Sequence, residues 1–387
     1  MLTQMRLAEA RQLDIAELNR RAQLFQHRLD AVKQQIARRG RQIAWYPYRS
    51  LSALAILEKL LTGERRRLLE LAGDDPVLDL GCADGELAFF LESLGCSVHA
   101  VDYAETNSNG MEGVRALKQE LGSSVEILGV DLDSQFTLPG QRYGLAFFLG
   151  TLYHLKNPYY ALEALAERAR YCVLSTRIAA YDADRRTLIR HLPVAYLLRE
   201  GEANQDWTNY WVFSEAGLRL LLERTGWEVL DFLRVGNTSC SDPASAEGDE
   251  RAFCLLKSLP LERAGLIELL RGWHAVEYRS WRWTEKHFSA GLVVPASMRP
   301  RLKLRFFLAE SLVQRLGPLT ISASVNGQPL APETYSSAGE HAYVRHLPGA
   351  WPAGSRVVVD FHLSAALPPD ESDPRERGII VTSLLIE

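Results

Sequence analysis

The apolar positions of this chain change period along its length, and each change predicts a different kind of structure. From about residue 3 to residue 39 there is no Pro or Gly. Within that stretch Ile15, Leu18, Ala22, Phe25, Leu29, Val32 and Ile36 step alternately by three and four. The spacing predicts one long helix ended by Gly40 and carrying a heptad seam. Its strict period favours a coiled-coil dimer over an amphipathic helix lying on its own domain, which usually shows a wider apolar stripe. A further helix is expected from about Leu51 to Leu71. Beyond it, apolar runs at 77–80, 97–101, 125–130, 145–149 and 171–175 read as buried strands. They alternate with helical stretches at 86–94, 108–121 and 159–169. A helix at 214–225 precedes runs at 227–235 and 251–257, which read as a hairpin closing the sheet. This alternation predicts an α/β fold around a largely parallel sheet. A short linking helix at about 261–271 then leads into β-rich runs at 288–294, 301–309, 319–325, 342–347, 356–363 and 379–386. Pro, Gly and Asn326-Gly327 separate them. That texture predicts an antiparallel β-sandwich.

The expected domains are therefore a helical arm at 1–40, an α/β domain at 41–258 and a β-sandwich at 259–387. A chain of 387 residues is too long for a single ordinary core. No apolar run approaches the roughly 18 residues of a membrane span, and the polar N-terminus does not read as a signal peptide. Five cysteines without a CxxC pair argue against a disulfide framework or a zinc site, and for the cytoplasm. The histidines show no metal-ligand spacing. The net charge of −4 is uneven, being +7 over residues 1–70 and −11 over the remainder. The basic arm reads as a solvated helix surface, with phosphate contact as the alternative.

The chemistry concentrates in Val77–Asp102, VLDLGCADGELAFFLESLGCSVHAVD. A strand ends in a Gly-rich turn, a helix follows, and a second strand ends on an acid. This is a βαβ unit that binds a nucleoside-like ligand at the strand carboxyl ends. Gly81 and Gly85 permit a tight turn, and Asp102 is placed to accept hydrogen bonds from two ribose hydroxyls. The order Asp79-x-Gly81-x-Ala83-x-Gly85 lacks the last glycine step of the dinucleotide fingerprint, which disfavours a nicotinamide enzyme. Glu86 beside the turn suits a cationic ligand better than a pyrophosphate. The stretch resembles motif I of the class I methyltransferases, D/E-x-G-x-G-x-G, with Ala83 in place of the middle glycine. The resemblance implies S-adenosylmethionine as cofactor and a Rossmann-like seven-stranded sheet of order 3-2-1-4-5-7-6. It also implies an acid after the third strand that receives the adenine amino group. Asp131 matches that acid by position, and Asp133 reads as a turn cap.

Residues 44–257 resemble more specifically the methyltransferases that complete the 5-oxyacetic acid group of the tRNA wobble uridine. The matching pieces are Trp45-Tyr46, the motif I turn, Gly150-Thr-Leu-Tyr-His154 and Asn209-Tyr210-Trp211. In that family the tyrosine at the place of Tyr153 contacts the carboxylate of carboxy-S-adenosylmethionine, and lysines ahead of the first strand assist. Between Arg38 and Gly73 this chain has only Lys59, so plain S-adenosylmethionine is expected. Gly272-Trp273, Arg282-Trp283-Thr284, Val325-Asn-Gly327 and Asp373-Pro-Arg375-x-x-Gly378 resemble β-sandwich domains attached to bacterial glycan-assembly proteins. Trp273, Trp281 and Trp283 read as sandwich core, with sugar stacking as the alternative.

These resemblances make a methyltransferase the expected function, with a glycan or glycan precursor as the favoured acceptor and tRNA as the alternative. A cofactor-binding scaffold without turnover is the remaining alternative. His154 has an intrinsic pKa suited to a base that frees a hydroxyl acceptor of its proton. Tyr153 is the second catalytic candidate and a wall of the acceptor site, and Tyr46, Tyr210 and Trp211 are the candidate substrate-binding residues. The insertion at 178–211 is too long for a simple connection and is expected to be functional.

Overall fold

The computed structural model describes residues 7–139, 142–277, 281–297 and 299–387, and the chain divides into two compact units, Met1–Leu261 and Glu262–Glu387. In the first unit α1 (Leu7–Arg11) and α2 (Ile15–Arg38) replace the single expected helix. Asp14 separates them, because its side chain caps α2 by accepting from Ala16 N–H (2.9 Å). The seam residues Ile15, Leu18, Ala22, Phe25, Leu29 and Ile36 are all buried in the core of the same unit. The expected coiled-coil dimer through this helix is therefore corrected: the seam faces α3 (Ala53–Leu60) and the α/β core, which leaves it unavailable to a second chain. The buried face also takes in Gln26 and reaches Lys33, so it is wider than a coiled-coil seam. The helix expected to continue to Leu71 stops at Leu60, where Gly63 turns the chain at φ +57° and short 3₁₀ turns follow.

The strands and helices then come in the predicted order: β1 (Val77–Leu80), α4 (Glu86–Ser93), β2 (Val98–Asp102), α5 (Glu112–Leu121), β3 (Glu126–Gly129), β4 (Tyr143–Leu149), α6 (Pro158–Ala166) and β5 (Ala169–Ala179). Two short strands, β6 (Ala195–Leu197) and β7 (Trp211–Ser214), belong to the insertion. After them come α7 (Glu215–Arg224), β8 (Trp227–Gly236) and β9 (Glu250–Ser258). The main sheet runs β3-β2-β1-β4-β5-β9-β8, with β9 antiparallel to both neighbours. This is the Rossmann-like methyltransferase order, the chain's sixth and seventh principal strands being β8 and β9. β5 outruns β4. Its Ile178 pairs with Glu250 on one side and Phe213 of β7 on the other, so β7 continues the row of β4 past the carboxyl edge. The insertion thus rises over the edge where the βαβ turn opens.

From α8 (Leu259–Leu266) the chain enters the second unit with β10 (Ile267–Trp273), a strand where the helix was expected to continue to about 271. It pairs with the first long strand of that unit, β11 (Arg282–Val293). The others are β12 (Arg301–Leu308), β13 (Leu319–Val325), β14 (Gln328–Tyr335), β15 (Gly339–His346), β16 (Arg356–Leu363) and β17 (Ile380–Ile386), with α9 (Glu310–Leu316) after β12. All pair antiparallel. β11 pairs with β10 along Thr284–Leu292 and with β16 along His287–Val293, β16 leading on to β13 and β14; its first residues, Arg282 and Trp283, pair with β17, which leads on to β12 and β15. Asn326 (φ +46°) and Gly327 (φ +81°) form the tight turn between β13 and β14. Trp273 is a packing residue: its indole N–H donates to Ser289 O (2.8 Å), and its ring meets Phe288 edge-on at 5.0 Å. Thr284 and Gly378 of the resemblance motifs are interlocked, Gly378 N–H donating to Thr284 O (2.6 Å).

Candidate active site at the carboxyl edge

The turn after β1 is set by backbone geometry. Gly81 (φ +71°), Ala83 (φ +51°) and Gly85 (φ +77°) all lie in the left-handed region. At position 81 a Cβ would stand 2.0 Å from Thr151 Oγ1, so the residue after β4 packs directly on the turn. Ala83 adopts a conformation that costs an ordinary L-residue about 1–2 kcal/mol. Its N–H donates to Asp102 Oδ2 (2.8 Å), which helps hold it there.

Asp102, at the end of β2, also accepts from Tyr103 N–H through Oδ1 (2.8 Å). Burial raises its pKa, and the two backbone donors oppose that shift. Each oxygen retains acceptor capacity for a ligand. Asp79 is buried, its Oδ2 has no hydrogen-bond partner among the described residues, and burial beside the Asp102 charge pushes its carboxyl up to about 7. The negative charge facing a ligand therefore comes first from Asp102, and Asp79 adds to it only as it ionises near pH 7. Glu86, expected to supply it, is paired instead with Lys33 of α2 (2.7 Å) and accepts from Gln26 (3.2 Å). Lys33 also reaches Asp84 (3.5 Å) and lies over the Trp45 ring (4.8 Å).

Asp84 is a fastener. It accepts from Tyr46 N–H (2.9 Å) and from the Asn109 amide (2.9 Å), and the Tyr46 hydroxyl accepts from Ser108 N–H (2.9 Å). Tyr46 therefore ties the segment before α3 to the loop after Asp102. On the far side, Asp131 accepts from Asp133 N–H (2.9 Å), which makes Asp131 the turn-forming acid. Asp133, the expected turn cap, instead accepts from Asn157 N–H (2.9 Å) at the start of α6.

Gly150, Thr151, Leu152, Tyr153 and His154 form the edge after β4, and the insertion is pinned to it. Tyr210 N–H donates to Tyr153 O (2.8 Å), and the Trp211 indole donates to Lys156 O (3.3 Å). His154 is brought against Thr208 and Asp206. Its Nδ1 lies 2.8 Å from Thr208 Oγ1 and 3.3 Å from Thr208 O. A carbonyl only accepts, and the Thr208 hydroxyl gives its own proton to Asp206 Oδ1 (2.7 Å). Nδ1 must therefore carry hydrogen, which leaves Nε2 as a bare acceptor. Burial lowers the His154 pKa, the Asp206 carboxylate opposes that, and Arg251 adds to it. Burial thus favours the neutral imidazole.

Sequence reasoning singled out the run Asp206–Trp211 but not the roles of Asp206 and Thr208, which follow only from the fold of the insertion. It also missed Arg251 on β9, whose guanidinium lies 5.5 Å from the Tyr153 ring and 3.5 Å from its hydroxyl. Among the described residues no group of three or more His, Cys, Asp and Glu could hold a metal ion, and no helix is long and apolar enough to cross a membrane.

Residues 53–231 match the family model described as a methyltransferase domain. A comparison with curated proteins finds no match. Among solved structures, the N-terminal domain of EvdMO1 with S-adenosylhomocysteine bound is 17% identical, over 64% of this chain and 98% of that one, with a TM-score of 0.37. The [4+2]-cyclase SpnF is 14% identical over 49% and 76%, with a TM-score of 0.36. A methyltransferase from Aquifex aeolicus dependent on S-adenosylmethionine is 19% identical over 48% and 84%, with a TM-score of 0.31. Sheet order, motif turn and family match together define the class: the first unit is an S-adenosylmethionine-dependent methyltransferase.

Proposed function

We propose that the chain methylates a hydroxyl of a glycan or glycan precursor. The observation that carries this reading is His154 at the edge after β4, its Nδ1 held by Thr208 and Asp206 so that Nε2 is the acceptor nitrogen. The cofactor, when bound, supplies an electrophilic methyl on a good leaving group. Its ribose would be held by Asp102. Asp131 is the candidate for its adenine, and the unpaired oxygen of Asp79 suits a ligand of positive charge. The turn Gly81-x-Ala83-x-Gly85 supplies the backbone against which it lies. His154 takes the acceptor's proton through Nε2, the relay behind it stabilising the imidazolium. Tyr153, Tyr210 and Trp211 wall the acceptor, and the insertion keeps water from it. Tyr46 shapes the mouth through Asp84 and Ser108.

Two features support a glycan. The charge of −11 beyond residue 70 is an unwelcoming field for a polyanion whose binding draws on counterion release. The β-sandwich resembles modules of glycan assembly. The test is transfer of radiolabelled methyl from S-adenosylmethionine into fractionated cell extract. Label should enter the polysaccharide fraction and be lost with His154→Ala. Label in tRNA and none in glycan would replace this reading with wobble-base methylation. Cofactor binding with no transfer to any fraction would favour the scaffold reading.

A further inference from the structure

Two arginines stand behind the acceptor side of the site with one carboxylate between them. Arg177 of β5 and Arg251 of β9 are direct partners across the antiparallel pair, so both side chains leave the same face of the sheet. Arg177 is 2% exposed, and its Nε and Nη1 have no hydrogen-bond partner among the described residues. Its Nη2 donates to the carbonyls of Asp242 (3.3 Å) and Ser245 (2.5 Å). Asp249 lies 3.6 Å from Arg177 Nε and 3.2 Å from Arg251 Nε. The other nearby acid, Asp242, is taken up by Arg185 (2.6 Å) and Ser245 (2.5 Å). The cluster thus keeps one uncompensated positive charge. It faces the edge after β4 through Arg251 Nη1, which lies 3.5 Å from the Tyr153 hydroxyl and would be the nearest atom, at 3.9 Å, to a Cβ placed on Gly150. The same charge is felt at His154, whose pKa it lowers.

The unmatched charge leaves a positive field at Arg251, the outward member of the pair, whose side chain is 31% exposed and within reach of a ligand. We propose that the acceptor carries a monoanionic group, a carboxylate or a phosphodiester, close to the oxygen that is methylated, and that Arg251 and the Tyr153 hydroxyl hold it. The excess of one charge matches a monoanion. The planar guanidinium presents paired N–H donors that fit a carboxylate or phosphate edge. Arg177, which does not reach the ligand, acts as a positioning residue: it sustains the field and shares Asp249, limiting how far Asp249 neutralises Arg251. This inference rests on the methyl-transfer reading above and narrows its substrate class to acidic acceptors.

The test uses full-length protein saturated with S-adenosylhomocysteine, with ¹³C-acetate and dimethyl phosphate as probes followed by NMR line broadening. Both anions should bind. Arg251→Gln should weaken them at least tenfold while S-adenosylhomocysteine affinity stays within twofold, and Arg251→Lys should restore part of the loss. No broadening in the parent protein, or equal broadening in Arg251→Gln, overturns the anion site. Displacement of acetate by glucuronate but not by glucose supports a sugar acid as the acceptor. Acetate binding that glucuronate does not displace keeps the anion site and counts against the glycan reading. A cofactor arm separates the source of the anion. Tighter binding of an S-carboxymethyl derivative than of S-adenosylhomocysteine itself, with the preference lost in Arg251→Gln, would assign the arginine to the cofactor and overturn its role toward the acceptor.

Discussion

Replacing Gly81 with Ala tests whether the turn after β1 and the edge after β4 form one packed unit. Two costs can be separated. At φ +71° an L-residue is strained by about 1–2 kcal/mol. The new Cβ would also stand 2.0 Å from Thr151 Oγ1 and 2.9 Å from its Cγ2, an overpacking worth about 1–3 kcal/mol once neighbours shift. Gly81→Ala alone should therefore cost about 2–5 kcal/mol in urea unfolding without cofactor. Thr151→Ala removes the two nearest clashing atoms and leaves Cβ of residue 151 at 3.0 Å, a contact relieved by a shift of a few tenths of an ångström. In that background the same glycine replacement should cost only the backbone strain. The double-mutant cycle should show a coupling of about 1–3 kcal/mol. Additivity within about 0.5 kcal/mol would refute the packing of Thr151 on the turn.

Further predictions follow from burial and charge. Burial holds the Asp79 carboxyl at about 7, above the value near 4 of an unfolded chain, so ionising it costs the folded state. Its contribution to stability is complete below about pH 4 and is lost as the pH rises through 7, on the order of 4 kcal/mol. Asp79→Asn should flatten that part of the stability profile measured by denaturation, and an unchanged slope would count against it. Removing residues 1–40 strips Ile15, Leu18, Phe25, Leu29 and Ile36 from the core, worth at most about 7–15 kcal/mol at roughly 1.5–3 each. The truncated chain should be unfolded or insoluble; one that keeps a native circular dichroism spectrum and binds S-adenosylhomocysteine would contradict the packing of α2. Asp206→Asn removes a charge that raises the His154 pKa, so that pKa should fall and the acid limb of the pH–rate profile should move to lower pH. NMR titration of His154 reads this directly, and an upward or absent shift would be contrary.

The sheet was legible in the sequence because buried parallel strands are short apolar runs bounded by turn signals, as at Val77–Leu80 and Tyr143–Leu149. Asp102 and the glycines were legible because local geometry fixes their spacing to the turn. The seam of α2 misled for a physical reason: a 3.5-residue period says which face is apolar, and whether that face meets a second chain or its own core depends on tertiary structure. Glu86 misled similarly, since its neutralising partner Lys33 lies 53 residues away. The relay Asp206–Thr208–His154 and the arginine pair Arg177–Arg251 join segments brought together only when the insertion and β9 reach the carboxyl edge. No local spacing announces them. β10 reads as helix in the sequence because Leu259–Leu266 carries a helical pattern into it and only pairing with β11 ends that pattern.

Asp102 carries the central claim, that the edge beyond β1 and β2 holds S-adenosylmethionine by its ribose. Calorimetric titration with S-adenosylhomocysteine should give micromolar-range affinity for the parent protein. Asp102→Ala should weaken it by about 1.5–3 kcal/mol, tenfold or more, since hydrogen bonds to a charged group are lost. Absence of binding in the parent protein, or equal affinity in a folded Asp102→Ala variant, would contradict it.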